Sequence, residues 1–546
     1  MLKFIALSGT TSVTENLYVY EADNQMMIVD CGVGFPDLEM HGVDLVIPDF
    51  SYIIKNKEKL KGIVVSQGHE DHIGAIPFLL KEVNVPIWAA PLVTEFLKDK
   101  FEDYGVRDFT INTFNVDNDE FKVGPFTVYP FRVTHSVPDT CGFAIDTPDG
   151  RIFHVPEHKM DQNPVDGKGF DTERAKKLSE KEVLFLASDC LGSNKPGYSP
   201  NERSIEDKML EIAKTAKNRI FATAISSNIG RFQQMIRVAK NTNRKVIFVG
   251  RSVQKKAEMA NKLGYLDYED CVIGLGEAKK LSKSNLFYIV AGCYGQAGSS
   301  VYRIATDAHE KVWVEEGDMM IFSADPAPPY TKESEDFVVD ELIDRGVDVH
   351  YYDLNEGLYV SGHGCQNDIL ELFKITNPKY FIPIGGTIRF MNAYKKLAVA
   401  NGIEENRVML LKPGDNISLN NGQATKGQRI ATKEILVHGL GVGDIGKVVL
   451  GDRAVLGNEG VVVVVIKVDS GGRMVGNPQI KSRGFVFEKL GSGLLRDAEK
   501  RLVRQIGKPG KLNQKTIEQT SLDYLENFLF QKIGRRPMIL PVIVEV

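Results

Sequence analysis

The sequence lacks closely spaced cysteines. Its six cysteines stand far apart along 546 residues, and none forms a C-x-x-C pair. This spacing argues against a zinc ribbon, a thioredoxin-like motif and a disulfide-stapled secreted domain. We therefore expect small, buried thiols in a reducing compartment. The cysteines are Cys31, Cys141, Cys190, Cys271, Cys293 and Cys365.

Long apolar runs are also missing. The longest, residues 460–466, is far shorter than the roughly 20 residues that cross a bilayer. Residues 1–7 have too little apolar length for a signal peptide and continue into a strand-like pattern. We expect a cytoplasmic protein with no membrane partner.

The chain has no strong excess of charge of either sign. The formal net charge is −5, so overall charge does not indicate a nucleic-acid-binding protein, although a local basic groove is enough to bind one. Hydrophobic residues make up 43% and charged residues 25%, which is ordinary for a globular protein. The length exceeds what one core supports, so about two to four domains are expected.

Apolar periodicity predicts three regions with different patterns. Strands and helices alternate up to about residue 200, and this alternation resumes at residues 357–425. Between them, helices at 207–216, 231–240 and 251–262 alternate with strands at 220–224, 245–249 and 286–291, which indicates a parallel α/β domain. A polar, Gly-rich stretch at 420–428 is typical of a linker, and residues 435–546 form a separate α+β unit.

The most informative motif is GIVVSQGHEDHIGA at residues 62–75. A short apolar run, residues 63–65, predicts a buried strand, and residues 73–83 predict a helix. Between them lie His69, Asp71 and His72. Two imidazoles and a carboxylate at the end of a strand are ligands for zinc or manganese.

Three later segments are candidates for the remaining ligands. His135 follows a predicted strand in THSVPD, Glu157 lies in HVPEHK, and Gly385 lies in FIPIGGT. A lone histidine such as His135 is more often a satisfied structural residue than a ligand. Its position at a strand end, like that of His69, favours the ligand interpretation.

The chain resembles the ribonuclease J family, in the β-CASP branch of the metallo-β-lactamase superfamily. The resemblance covers nearly the whole length. Its motifs are GVDLVIPD at 42–49, THSVPD at 134–139, SD at 188–189, KPGY at 195–198, SNI at 227–229, GRS at 250–252, SGH at 361–363, GLGVGDIG at 439–446, SRGFV at 482–486 and GRRPMILP at 534–541.

The resemblance implies a metallo-β-lactamase αββα sandwich that is interrupted by a β-CASP domain and followed by a small α+β domain. The expected boundaries are 1–203 and 357–425 for the sandwich, 204–356 for the β-CASP domain and 435–546 for the C-terminal domain.

The resemblance also implies roles for individual residues. Gln67, His69 and His135 would face one metal ion, and Asp71, His72 and Gly385 the other, with Glu157 bridging both. Asp189 would orient or support the ligands, and His363 would protonate or stabilise the leaving oxygen. Asp71 and His363 are the expected catalytic residues.

Three of these positions depart from the family pattern. The family has His at the positions of Gln67 and Gly385, and Asp at that of Glu157. An amide oxygen is a weak neutral ligand, glycine offers none, and the extra methylene of Glu157 moves its carboxylate by about 1.5 Å. About three donors remain for each metal position, which is enough for a catalytic zinc with an open position. We expect one divalent ion per chain, zinc first and manganese as the alternative.

A second set of residues is expected to hold the RNA 5′ end. It comprises Ser227, Asn228, Tyr359, Ser361, Gly362 and His363, with Tyr359 at a position where the family has His. The retained hydroxyl, amide and backbone groups could donate to phosphate oxygens. The alternative is that the small residues merely form tight turns.

Two functions of different class follow. The first is metal-dependent hydrolysis of single-stranded RNA in RNA processing and decay, exonucleolytic from the 5′ end and also endonucleolytic, at a weakened rate. The second is an impaired paralogue that binds RNA or acts as a scaffold for an active ribonuclease J. A small-molecule hydrolase is a distant third, because it has no use for the two extra domains. We also expect a homodimer or a heteromer with a paralogue.

Overall fold

The computed structural model of this chain describes all residues except 38, 269, 325–330, 353–356, 421, 486–487 and 507–512. Three sequence expectations touch these positions. Residue 356 at the expected end of the β-CASP domain, Asn421 of the predicted linker and Val486 of the SRGFV motif lie outside the described residues. The chain divides into two compact units, one of Met1–Phe35 with Leu45–Ile435 and one of Pro36–Asp44 with Leu436–Val546.

An eight-stranded mixed sheet forms one half of the sandwich in the first unit. Its central strands are almost entirely apolar and buried, and Gln25–Val29 pairs in parallel with Leu60–Val64, as is typical of a sheet covered on both faces. From edge to edge the strands are Gln423–Lys426, Asn416–Asn420, Leu2–Ala6, Tyr18–Ala22, Gln25–Val29, Leu60–Val64, Ile87–Ala89 and Ile111–Thr113.

A six-stranded sheet forms the other half. Phe4 of the first sheet packs on Phe185 of the second, with ring centroids 5.5 Å apart, so aromatic side chains fill the space between the sheets. From edge to edge the strands are Tyr380–Ile384, Val183–Asp189, Gly150–Val155, Cys141–Thr147, Phe126–Arg132 and Phe121–Val123. The helices of this part are Ser51–Lys55, Glu70–Ile73, Ile76–Glu82, Pro91–Tyr104, Thr172–Ser179, Gln366–Thr376 and Ile388–Ala400.

The inserted α/β domain contains a five-stranded sheet in which every pairing is parallel. From edge to edge its strands are Lys245–Val249, Leu286–Val290, Ile220–Thr223, Met319–Phe322 and Asp348–His350. Its helices are Arg203–Ala213, Ile229–Asn241, Arg251–Lys262, Leu275–Ala278, Ser300–Ala305 and Lys332–Asp344. Parallel strands place all their carboxyl ends at one edge of the sheet, which is where ligands bind in such domains.

The second unit has its own core. Alternate residues Val462, Val464 and Ile466 of the central strand are fully buried against its long helices. Its main sheet has the order Gln479–Arg483, Val461–Val468, Met538–Glu545, and its helices are Lys447–Glu459, Glu488–Ile506 and Gln514–Ile533. A short hairpin joins Ile435–His438 and Gly441–Val442.

This architecture confirms the predicted fold class, and two local predictions are wrong. The stretch predicted as a linker, 420–428, contains strand Gln423–Lys426. This strand pairs with Asn416–Asn420 and extends the first sheet, because Asn416–Asn420 pairs with Leu2–Ala6. The helix predicted at 73–83 is two helices, Glu70–Ile73 and Ile76–Glu82. Pro77 lies in the first turn of the second helix and has no N–H to continue the first one.

The six cysteines are free thiols, and all are buried. Among the helices of the described residues, none has the length and apolar character needed to span a bilayer.

Candidate metal centre and substrate cavity

The segment after strand Leu60–Val64 carries the first histidines of the site. His69 lies just before the helical turn Glu70–Ile73, and His72 lies inside that turn. Nδ1 of His72 is 2.8 Å from Oδ2 of Asp30, which also accepts a hydrogen bond from the Ser66 hydroxyl. Asp30 thus orients the His72 ring so that its Nε2 faces the centre.

His135 follows strand Phe126–Arg132 and is held by the loop that contains Gly362. Its Nδ1 lies 2.9 Å from the Gly362 carbonyl oxygen, so Nδ1 donates and Nε2 faces the centre. A Cβ at position 362 would lie only 2.7 Å from Cε1 of His135, so glycine is required for this close approach. Gly362 therefore supports the centre directly.

Glu157, two residues after strand Gly150–Val155, joins the two histidine groups. Its Oε2 lies 2.8 Å from Nε2 of His135, and its Oε1 lies 3.3 Å from Nε2 of His72. Burial favours the neutral acid, but His135 and His72 hold the pKa of Glu157 well below its usual range. The group is therefore a carboxylate, the form that binds cations.

The neighbouring histidines differ in charge. Burial, reinforced by the nearby His135, lowers the pKa of His69 to about 3, so this imidazole is neutral and able to act as a ligand. Burial also opposes charge on His72, but Asp71, Asp30 and Glu157 raise its pKa well above the usual value. The carboxylates around His72 thus create a position that favours positive charge.

Two groups of ligand atoms share Glu157. In each group the potential ligand atoms lie within 4.8 Å of one another. The groups are His69 with His135 and Glu157, and Asp71 with His72 and Glu157. Imidazoles combined with carboxylates are a donor set for catalytic zinc, with a further position open for water or substrate. The residues present therefore fit a divalent metal ion.

Gln67 faces this centre with its amide nitrogen. Its Nε2 donates a hydrogen bond to Oε2 of Glu157, and its Oε1 accepts one from the backbone N–H of His69, 3.0 Å away. The carbonyl oxygen, which is the only ligand atom of a glutamine, is therefore engaged by the backbone. In this arrangement Gln67 stabilises the ligand loop and the carboxylate and does not act as a donor to a metal ion.

Gly385 follows strand Tyr380–Ile384 and has φ of +65°. A Cβ at this position would have ordinary contacts, 3.4 Å from the Pro156 carbonyl oxygen and 3.9 Å from Oδ1 of Asp189. The space for a side chain therefore exists, although a residue with a Cβ costs roughly 1–2 kcal/mol in this left-handed conformation.

Asp189 and His363 form an ion pair beside the ligands. Nδ1 of His363 lies 2.7 Å from Oδ2 of Asp189, and its ring centroid lies 5.5 Å from that of His135. Burial lowers the pKa of His363, but the Asp189 carboxylate outweighs this and raises it to about 9. His363 therefore carries a proton on Nε2 at neutral pH.

A cavity of about 940 Å³ lies over the metal centre. It extends to the carboxyl ends of the parallel strands of the inserted domain, so one space connects the ligands with that sheet. Nine of the site residues predicted from the sequence line this cavity: His69, Asp71, His135, Glu157, Ser227, Asn228, Tyr359, Gly362 and His363. Ser361 is not among the lining residues.

Two of the predicted RNA-binding residues have structural contacts of their own. Oδ1 of Asn228 accepts a hydrogen bond from the Arg231 backbone N–H, 2.9 Å away, and caps helix Ile229–Asn241. The Ser361 carbonyl oxygen lies 3.3 Å from Nζ of Lys159, and the Ser361 hydroxyl accepts from the backbone N–H of His363. Turn formation and phosphate binding thus compete as explanations for these residues.

Sequence reasoning missed several residues that contact the ligands. Nδ2 of Asn16 lies 3.2 Å from both Oδ2 of Asp71 and Nε2 of His72, and the Ser136 hydroxyl lies 2.9 Å from Nε2 of His69. Asp30, which orients His72, was not predicted as a site residue either. Each of these residues contacts a side chain that is distant in sequence, and each contact depends on a side-chain rotamer. Local sequence patterns predict neither.

Family profiles match four stretches of the chain. Residues 27–176 match the beta-lactamase superfamily domain, residues 217–342 the ribonuclease J beta-CASP domain, residues 352–409 the Zn-dependent metallo-hydrolase RNA specificity domain, and residues 448–546 the ribonuclease J C-terminal domain.

Similar proteins extend the comparison to the whole length. Ribonuclease J 2 of Staphylococcus aureus (strain MRSA252) is 34% identical, and the match covers 100% of this chain and 98% of that protein. Ribonuclease J 2 of Staphylococcus epidermidis is also 34% identical with the same coverage. A solved protein of unknown function from Enterococcus faecalis V583 matches with a TM-score of 0.54 at 15% identity, over 77% of this chain and 100% of that one, which supports the fold alone.

The sandwich, the inserted β-CASP domain and the His/Asp/Glu centre define a hydrolase of the metallo-β-lactamase superfamily. Together with the full-length similarity, they confirm the resemblance found in the sequence. This chain belongs to the ribonuclease J family, a family of divalent-metal hydrolases that act on RNA.

Proposed function

We propose that this chain binds single-stranded RNA and hydrolyses its phosphodiester bonds, from the 5′ end and also internally, at a reduced rate. The observation that carries the proposal is the convergence of His69, Asp71, His72 and His135 on Glu157 at the floor of a large cavity. RNA processing and decay in the cytoplasm is the corresponding biological role. The buried free thiols fit that reducing compartment.

The proposed cofactor is one divalent ion per chain, zinc first and manganese as the alternative. When bound, such an ion lowers the pKa of a coordinated water and offsets negative charge on the phosphodiester oxygens. His69, His135 and Glu157, or Asp71, His72 and Glu157, would hold it. We also propose the domain boundaries: the β-CASP domain is inserted between residues 203 and 357, and the C-terminal domain begins at residue 435.

The chain's own residues supply orientation and a proton. Asp30 and the Gly362 carbonyl oxygen fix the rings of His72 and His135, so that each presents Nε2 to the centre. Asp189 keeps His363 protonated, and Nε2 of His363 is the proton donor for the leaving oxygen. Ser227, Asn228, Tyr359, Ser361 and Gly362 are the proposed contacts to the RNA 5′ end.

A second function is favoured by the hydrogen bond from Gln67 to Glu157 and by the missing side chain at Gly385. Both features weaken metal binding but leave the cavity intact. The alternative is therefore a protein that binds RNA and acts as the partner of an active ribonuclease J without cutting efficiently itself.

An RNA decay assay distinguishes the two functions. A 5′-monophosphorylated single strand, labelled at the 5′ end, is incubated with the protein in the presence of zinc or manganese. The same incubation with the His135→Ala variant, which lacks one proposed ligand, is run in parallel. Release of 5′ mononucleotides that the variant lacks supports the hydrolase. Salt-sensitive binding without decay supports the partner, and the absence of both would contradict both functions.

A further inference from the structure

Lys256 lies on the wall of the cavity, on helix Arg251–Lys262 of the β-CASP domain. Only 14% of its side chain is exposed. Its Nζ lies 5.2 Å from the centroid of the Phe96 ring, 3.4 Å from the Ser226 hydroxyl and 4.0 Å from Oε1 of Glu70. Lys256 therefore bridges the β-CASP domain and the ligand segment, because Ser226 precedes Ser227, and Glu70 lies between His69 and Asp71.

The charges around Lys256 do not balance. Glu70 is already paired with Lys100, whose Nζ lies 2.5 Å from Oε2. Two carboxylates of the neighbouring helix Pro91–Tyr104 also line the cavity and are also engaged: Asp99 pairs with Lys255, and Asp103 pairs with Arg251. Two ammonium groups thus share the single carboxylate of Glu70. One positive charge on this wall remains without a carboxylate of its own among the described residues.

This ammonium group is also poorly solvated. An ammonium has three N–H donors, but the described contacts of Nζ include one hydrogen bond, the long one to Ser226. Burial lowers the pKa of Lys256, which reflects the cost of holding a charge here. An anion in the cavity would accept from the remaining donors and offset that cost.

We propose that Lys256 binds a phosphate of the RNA backbone between Ser226, at the carboxyl end of the β-CASP sheet, and the metal centre. This inference rests on the proposed RNA-binding function and adds to it a phosphate position on the cavity wall. Apolar Phe96 beneath the ammonium gives it a fixed position without competing for its donors. The rival explanation is a structural one, in which Lys256 only ties the β-CASP domain to Glu70.

Salt dependence of RNA binding separates these explanations. Binding of a fluorescent, 5′-monophosphorylated oligouridylate is measured by anisotropy over a range of salt concentrations, with chelator present to prevent cleavage. Lys256→Gln should weaken binding several-fold and reduce the slope of log K against log salt by about 0.7, the value for one phosphate on a single strand. Lys262→Gln is the matched control, since Lys262 lies exposed at the end of the same helix and outside the cavity lining.

Glu70→Gln tests the structural explanation. If Lys256 only ties the domains together, Glu70→Gln should weaken RNA binding as Lys256→Gln does, and neither should change the salt slope. If Lys256 binds phosphate, Glu70→Gln removes a competing carboxylate, so affinity should hold or rise. An unchanged slope in Lys256→Gln while the unaltered protein binds RNA overturns the inference but leaves the proposed function standing. No RNA binding by the unaltered protein overturns both.

Two further measurements cover the case in which Lys256→Gln does not fold. Lys256→Arg keeps the charge and should retain the slope of the unaltered protein. Irradiation of the unaltered protein with an oligouridylate that contains 4-thiouridine should cross-link the peptide carrying Phe96 or the one carrying Lys256. Cross-links confined to other peptides would overturn the inference.

Discussion

The amide nitrogen of Gln67 donates a hydrogen bond to Oε2 of Glu157, the same oxygen that lies 2.8 Å from Nε2 of His135. A metal ion held by His69, His135 and Glu157 would need a lone pair of this oxygen. The amide therefore competes with the ion for its carboxylate ligand, where a histidine would supply a further donor. The second group, Asp71 with His72, is free of this competition from Gln67, so we expect it to be the better metal position.

The first prediction is that Gln67→His, Glu157→Asp and Gly385→His together raise both metal content and nuclease rate. Rebuilding the ligand set adds two imidazoles and restores the shorter carboxylate. Loss of an orienting contact alone changes metal affinity or activity by roughly 10–100-fold, and a lost ligand should cost at least as much. The unaltered protein should hold about one ion per chain. Elemental analysis and decay of 5′-labelled RNA measure both quantities.

The control for this experiment is Gly385→Ala, which carries the same left-handed backbone strain without an imidazole. It should lower stability by roughly 1–2 kcal/mol and leave metal content unchanged. Two tightly held ions and rapid RNA decay in the unaltered protein would show that Gln67 and Glu157 are competent ligands. Failure of both versions to cut RNA would favour the partner function.

The second prediction concerns pH. The pKa of His363 is about 9 in the folded protein and about 6.5 in the unfolded chain. Its pairing with Asp189 therefore stabilises the fold fully below about pH 6.5, and this contribution is lost as pH rises through 9. We therefore compare the unaltered protein with His363→Gln, with chelator present to remove metal ions. As pH rises across this range, the free energy of unfolding of the unaltered protein should fall by up to about 3 kcal/mol more than that of the variant. Urea denaturation at pH 6 and pH 9.5 measures the difference. Asp189→Asn should behave like His363→Gln, and an equal fall in all three proteins would contradict the pairing.

The third prediction separates the two roles of Asn228. Asn228→Asp keeps an acceptor for the Arg231 N–H, so the free energy of unfolding should change by less than about 0.5 kcal/mol. The new negative charge in the cavity should nevertheless weaken RNA binding. Asn228→Ala removes the helix cap and should destabilise the protein by about 1 kcal/mol. Unchanged RNA affinity in Asn228→Asp would mean that this residue only caps its helix.

The clustering of the candidate ligands could be predicted because it depends on strand ends. His69, His135 and Glu157 each follow a buried apolar run, and such runs carry a strong signal in the sequence. The parallel sheet of the inserted domain was predictable for the same reason. These patterns are local, so a single sequence reports them well.

The orientation of Gln67 and the contacts of Lys256 could not be predicted. Which amide atom of Gln67 faces Glu157 depends on a backbone N–H two residues away and on a carboxylate from another sheet. In the sequence, Lys256 cannot be distinguished from other lysines on an amphipathic helix, because its contacts Phe96 and Glu70 belong to another domain. Strand Gln423–Lys426 was assigned to a linker because its sequence is polar. The sheet that it extends is completed by Leu2–Ala6, at the other end of the unit.

The last prediction is that the second unit mediates self-association or association with a paralogue. One face of strand Met538–Glu545 is apolar yet exposed: Leu540, Val542 and Val544 are 45%, 43% and 38% accessible. The apolar strand at 461–466 is suited by its sequence to a core or an interface, and its alternate residues fill the unit's own core. Exposed apolar side chains in a row are typical of an interface. Light scattering should therefore give a mass above that of one chain, and deletion of residues 435–546 should lower it by more than the deleted segment.

A single substitution provides the sharper form of this test. Val542→Asp places a charge in the middle of the exposed face and should shift the protein toward the monomer, because a desolvated unpaired charge opposes association. The melting temperature of the monomeric form should change little, because Val542 lies outside the apolar core of the unit. Lys500→Asp, at an exposed position of helix Glu488–Ile506, which packs on the opposite, buried face of the same sheet, is the control and should leave the mass unchanged. A full-length protein that is strictly monomeric in dilute solution, alone and with an active paralogue, would show that this face is not an interface.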